Sequence, residues 1–111
     1  MPLTANHFDE IKAFLRDRID PLLDGARIVG SDALMTALTA LSKTVDNAHD
    51  GGKHVLTTGG WAPADRDQIV AEYWDRLSSL ACEWEKHPDF QHDFELDADE
   101  LGGVEALPAK P

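Results

Sequence analysis

Apolar residues recur at helical spacing in three separate stretches of the chain. Phe8, Ile11, Leu15 and Ile19 follow one another at steps of three, four and four, with Phe14 alongside. Leu34, Leu38, Leu41, Val45 and Ala48 do so at steps of four, three, four and three, and Ile69, Tyr73, Leu77, Leu80 and Trp84 at steps of four, four, three and four. At about 3.6 residues per turn each set falls on one stripe, and three such stripes are buried by packing helix against helix. Val70, Trp74, Ala81 and Cys82 flank the third stripe and widen its apolar face.

The residues between the stripes set the expected bounds. Thr4 or Asn6 suits the cap of a first helix over residues 6–19. Pro21 is expected to end or kink that helix, since it lacks a donor and its ring meets the carbonyl four residues earlier. Leu22, Leu23 and Gly25 then read as a short turn, and residues 26–29 as an extended connector. Ser31 reads as the cap of the second helix. Residues 50–61, DGGKHVLTTGGW, hold four glycines and read as an ordered loop in which Val55, Leu56 and Trp61 seal the bundle. Pro63 suits the first turn of the third helix, and Pro88 is expected to stop it near Lys86. The fold class these features predict is all-α: a small three-helix bundle with a Gly-rich loop before the third helix and an acidic C-terminal arm. Residues 1–94 form the bundle domain, and residues 95–111 have the composition of an acidic, flexible tail.

Charge narrows the partners. Ten Lys and Arg against 21 Asp and Glu give the 111-residue chain a net charge of −11. From His87 onward seven carboxylates stand against one lysine, while residues 1–60 carry only −2. A chain without a basic stripe does not suit direct nucleic-acid binding, and an anionic membrane surface repels it. Nowhere do about 18 apolar residues follow one another, as a membrane-crossing helix requires. The single cysteine excludes an intramolecular disulfide and any multi-cysteine zinc or iron–sulfur site. A cytoplasmic protein with a basic protein partner is the expectation.

Candidate chemistry is sparse. Cys82, His87 and His92, with Asp89 and Asp93 nearby, are residue types that bind zinc, but their spacing matches no zinc pattern. A lone cysteine at the edge of an apolar stripe usually behaves as a small hydrophobe. No metal and no cofactor is therefore expected. His7, His49 and His54 lack a visible nucleophile and orienting partner, and Ser78 and Ser79 lie on a helix without an elbow motif. No phosphate-binding glycine motif is present. No catalytic residues and no enzymatic activity are expected. Trp74 and Trp84 read as core, whereas Trp61, set in the glycine loop, suits a partner anchor. With it, His87, Asp89, Phe90, His92, Asp93 and Phe94 form the expected partner-binding set, aromatic rings anchoring and carboxylates steering.

Two segments, FLRDRID at residues 14–20 and LACEWEKHPDF at residues 80–90, resemble the opening FLR.RLDED and the closing LA..YA.HPDY of a family of small, uncharacterised proteins of actinobacteria and their phages. The resemblance implies a phage or actinobacterial accessory protein with no assigned activity. The function expected on both grounds is that of a non-enzymatic, protein-binding accessory factor, phage-encoded or phage-like, acting through its acidic surface and C-terminal arm. The alternatives are an acidic DNA mimic that inhibits a nucleic-acid-binding protein, a virion structural component, and a metal-binding protein using Cys82, His87 and His92.

Overall fold

Gly30 reverses the chain between the first two helices. It takes a φ of 70°, open to glycine without steric cost, and its N–H and that of Ser31 reach back to the carbonyls of Arg27 (3.2 Å) and Ala26 (3.1 Å). Ser31 Oγ then accepts the Leu34 N–H at 3.3 Å and starts the next helix, as its position in the sequence predicts. In the computed structural model, which describes residues 2–106, these are α1 (Ala5–Val29) and α2 (Asp32–Thr57), followed by α3 (Pro63–Ala81). Short 3₁₀ turns follow at Cys82–Trp84 and His92–Glu95, and no strand lies among the described residues. The fold is an all-α three-helix bundle.

Several expected boundaries are corrected. Pro21 neither ends α1 nor starts a turn, and residues 26–29 are helical rather than extended. The missing donor costs little here because Pro21 and Asp17, whose carbonyl loses its partner, both face water. Residues 51–57 likewise belong to α2 and not to a loop. Gly51 and Gly52 serve close packing: a Cβ on Gly51 would stand 2.6 Å from the Tyr73 ring, and one on Gly52 2.3 Å from that of Phe8. Two aromatic rings, from α3 and α1, thus press directly on the α2 backbone. The third α-helix stops at Ala81, short of Lys86, by tightening into the 3₁₀ turn.

Phe8, Ile11, Leu15 and Ile19 of α1, Val45 of α2, and Val70, Trp74 and Leu77 of α3 are fully buried. The buried side of α3 is centred on Val70, Trp74, Leu77 and Ala81 rather than on Ile69, Tyr73, Leu80 and Trp84, which are half-covered at its flank. The reason is a fourth layer. Residues 87–106 run back against α1 and α3, placing Phe94, Ala98 and Leu101 in the core. Leu3 clasps the end of this strap: its N–H donates to the Gly103 carbonyl (2.8 Å), and its carbonyl accepts from Glu105 (2.9 Å). Residues 95–106, part of the segment whose composition suggests a flexible tail, are therefore packed on the bundle. Residues 107–111 of that segment lie outside the described residues.

Candidate binding surface

Three α3 side chains at steps of eight and four hold the strap by its backbone. Ser78 Oγ donates to the Phe94 carbonyl at 2.6 Å, Trp74 Nε1 to the Leu96 carbonyl at 2.8 Å, and Arg66 Nη2 to the Glu105 carbonyl at 2.6 Å. Arg66 is buried, and the same Nη2 lies 3.3 Å from the Leu56 carbonyl, one of the orphan acceptors at the end of α2. One guanidinium thus joins a helix end to the strap. With its apolar residues turned inward, the strap exposes Asp89, Glu95, Asp97, Asp99, Glu100 and Glu105. No Lys or Arg occurs in residues 87–106.

The residues expected to touch a partner divide between the two sides. Phe94 is 1% exposed and Phe90 half-buried; their rings pack on Phe14 at centroid distances of 5.3 and 5.8 Å. His87 meets the edge of Phe14 at 5.9 Å, and Arg18 Nη1 stands 2.7 Å from its Nε2 and 3.9 Å from Asp89 Oδ2. Asp93 lies 3.3 Å from His7 Nε2. Since the Thr4 N–H donates to His7 Nδ1 (3.1 Å), the ring proton sits on Nε2 and points at Asp93. His92 is exposed and pairs with Glu95 at 2.9 Å. Phe90 and Phe94 are thus fold contacts, while Asp89, His92 and Asp93 leave surface toward solvent. Residues 14–20 and 80–90 meet in this cluster through Phe14, Arg18, His87 and Phe90.

Trp61 remains on the surface, 38% exposed, its Nε1 donating to Thr58 Oγ1 at 3.1 Å. It borders two depressions. One, of about 420 Å³, is lined by His54, Val55, Ile69, Glu72 and Tyr73, with Arg76 held 5.3 Å over the Tyr73 ring. The other, of about 240 Å³, is lined by Pro63, Arg66 and Asp67 of α3 and by Val104 and Ala106 of the strap. The indole therefore stands beside Val104 and Ala106 of the strap.

Electrostatics link the strap to α3. Partial burial pushes the Asp75 carboxyl above its ordinary range, and the neighbouring Asp97 and Glu72 charges raise it further. A second cluster lies between α1 and α2: His49 Nε2 is 2.7 Å from Asp9 and its Nδ1 2.8 Å from Asp50, and Lys53 reaches Asp9 at 3.0 Å. The hydrogen bond from His49, then that from Lys53, holds the Asp9 carboxyl below its usual value. Asp9 of α1 and Asp50 of α2 thus flank the His49 ring, a grouping that spacing along the chain does not reveal. Nor does any periodicity mark Arg66 as buried.

Cys82 and His87 line one surface depression of about 530 Å³, but His92 is not brought to it. Among the described residues no group of three or more His, Cys, Asp or Glu is arranged to hold a metal ion, so the reading of Cys82, His87 and His92 as a ligand set is corrected. Nor is any helix among them long and apolar enough to cross a membrane. Compared with known proteins, the chain matches no family model, no curated protein and no solved structure.

Proposed function

We propose that the chain is a non-enzymatic protein-binding factor that takes a basic segment of its partner along the strap and an apolar side chain of that segment beside Trp61. The observation that supports this most directly is the ordered strap itself. Its carboxylates are carried on a backbone fixed by Arg66, Trp74, Ser78 and Leu3, so a partner does not have to order them on binding. Clustered carboxylates of one sign speed the encounter with a basic partner, and an exposed tryptophan beside a depression supplies a desolvated anchor. The earlier expectation is changed in one respect: Trp61, not Phe90 or Phe94, is the ring available to a partner. The resemblance of residues 14–20 and 80–90 to the actinobacterial and phage proteins supports reading this factor as a phage-encoded or phage-like accessory protein.

The test compares the wild-type chain with Trp61→Ala and with Asp97→Asn/Asp99→Asn/Glu100→Gln, each immobilised and exposed to an actinobacterial lysate. A basic protein retained by the wild type, released by moderate salt and lost from both variants is expected, with affinities then measured by calorimetry. Retention that is equal on all three proteins would overturn the reading.

A further inference from the structure

The apolar stripes of α1 and α2 do not stop where α3 stops. In α1 the buried series Leu15 and Ile19 continues at Leu22, Ala26 and Val29 at steps of three, four and three. In α2 it begins at Leu34 and runs through Leu38 and Leu41 to Val45. Tyr73 lies against Gly51, and Arg66 reaches the Leu56 carbonyl. That antiparallel register sets Ala81, the last residue of α3, opposite α2 near residue 42. Beyond it α1 and α2 run on as a bare two-helix hairpin for about ten residues each, or roughly 15 Å at 1.5 Å per residue.

Burial agrees with that register. None of the ten largest fully buried side chains comes from residues 20–44. Four of the five exposed large hydrophobic residues do: Leu22 at 52%, Ile28 at 86%, Val29 at 73% and Leu34 at 46%. Leu22, Val29 and Leu34 continue the stripes and so face the side that α3 leaves uncovered.

Charge distinguishes the occupants. The whole chain carries −11, yet residues 22–45 contain only Asp24, Arg27, Asp32 and Lys43, two of each sign. At this segment two copies of so acidic a chain can approach without net repulsion, and it is the charge-balanced segment that also carries four of the exposed large hydrophobic residues. If the hairpins pair antiparallel, their acidic bodies lie at opposite ends, separated by more than the screening length of about 8 Å at physiological salt. A two-fold contact also needs only one self-complementary patch, which an uncharged apolar stripe provides.

We infer that the protruding α1/α2 hairpin is a dimerisation surface: the uncovered faces of two copies, through Leu22, Val29 and Leu34, pack on each other and complete a four-helix bundle. The contact is small and its affinity modest, with a Kd on the order of micromolar. It uses a different surface from the strap and Trp61, so partner binding and dimerisation are separable.

Sedimentation velocity on the full chain from about 1 to 500 µM, a range bracketing that Kd, tests the inference. The wild type is expected to pass from monomer to dimer. Val29→Asp/Leu34→Asp is expected to remain monomeric, at least a hundredfold weaker, with an unchanged far-ultraviolet circular dichroism spectrum. The strap variant Asp97→Asn/Asp99→Asn/Glu100→Gln is expected to dimerise at least as well as the wild type. A wild type that stays monomeric at 500 µM overturns the inference, as does a dimer that survives the Val29/Leu34 double variant.

Discussion

The two ends of the bundle are built on opposite terms. At the strap end, α1, α2, α3 and residues 87–106 enclose Phe8, Trp74, Phe94 and Leu3, all fully buried, under a skin of carboxylates with no basic residue in the strap. At the hairpin end two helices face each other with Ala26 and Leu38 as their buried hydrophobic residues, and the exposed surface is apolar with balanced charge. The lesson is that helix continuity and helix burial are separate outcomes. The same heptad spacing runs through both halves of α1 and α2, but only the half that α3 and the strap cover becomes core. Stability resides at one end, and the surface left over at the other is free for association.

Substitutions sharpen this contrast. Phe94→Ala removes a buried ring from the strap and is expected to destabilise by about 3–5 kcal/mol. Chemical denaturation should show that loss with little change in the monomer–dimer equilibrium of the remaining folded protein. If Phe94→Ala costs less than about 1 kcal/mol, the strap is not part of the core.

Two glycine-to-alanine changes within helices should have opposite signs. Alanine normally gains up to about 1 kcal/mol over glycine in a helix interior. At Gly52 the added carbon meets the buried Phe8 ring at 2.3 Å, and overpacking of that kind outweighs the gain, for a net cost of about 1–3 kcal/mol. At Gly25 no heavy atom lies within 4 Å, so Gly25→Ala at the hairpin end is expected to stabilise by about 0.5–1 kcal/mol. Thermal melts of both variants measure the pair, and equal signs would break the comparison.

The smallest effects are those of pH. The folded-state pKa of Asp75 is raised, so its ionised form weighs against the fold, and stability falls as pH rises through that pKa. Asp75→Asn is therefore expected to stabilise at pH 7 by at most about 0.5 kcal/mol and to have no effect below about pH 3.5. Asp9 is lowered, so its contribution is present above the ordinary aspartate pKa and is lost as pH falls through the folded value. Asp9→Asn is expected to destabilise at pH 7 by about 0.5 kcal/mol, a difference that disappears in strong acid. Denaturant midpoints measured from about pH 1.5 to 8 give both curves.

Much of this fold was legible from local pattern. The three helices, the buried stripe of α1, the Ser31 cap and the first-turn position of Pro63 follow from spacing and from residue chemistry over a few positions, whereas the buried side of α3 is turned from the expected stripe by the strap. What was not legible depended on distant parts of the chain. Pro21 is a breaker only where its orphaned carbonyl is buried, and Gly51 and Gly52 mark a loop only if no ring needs their space. The strap was hidden for the same reason: Phe90, Phe94, Ala98 and Leu101 stand at steps of four, four and three, yet the segment folds as short turns, held where Arg66, Trp74 and Ser78 offer donors to its backbone carbonyls. Of the candidate site, Trp61 and the carboxylates were visible as residue types, but which aromatic rings turn inward was not.

The clasp between Leu3 and residues 103–105 has a consequence for how the molecule is made. Its halves are separated by about a hundred positions, so closing it carries the largest loop entropy in the fold and belongs late in folding. During synthesis the α1/α2 hairpin, made of neighbours in sequence, emerges first and can form while the groove that Phe94 will fill still stands open. A growing chain therefore passes through an interval in which Trp74 and Phe14 are unroofed, and in that interval a chaperone or a protease meets a different surface from the finished one.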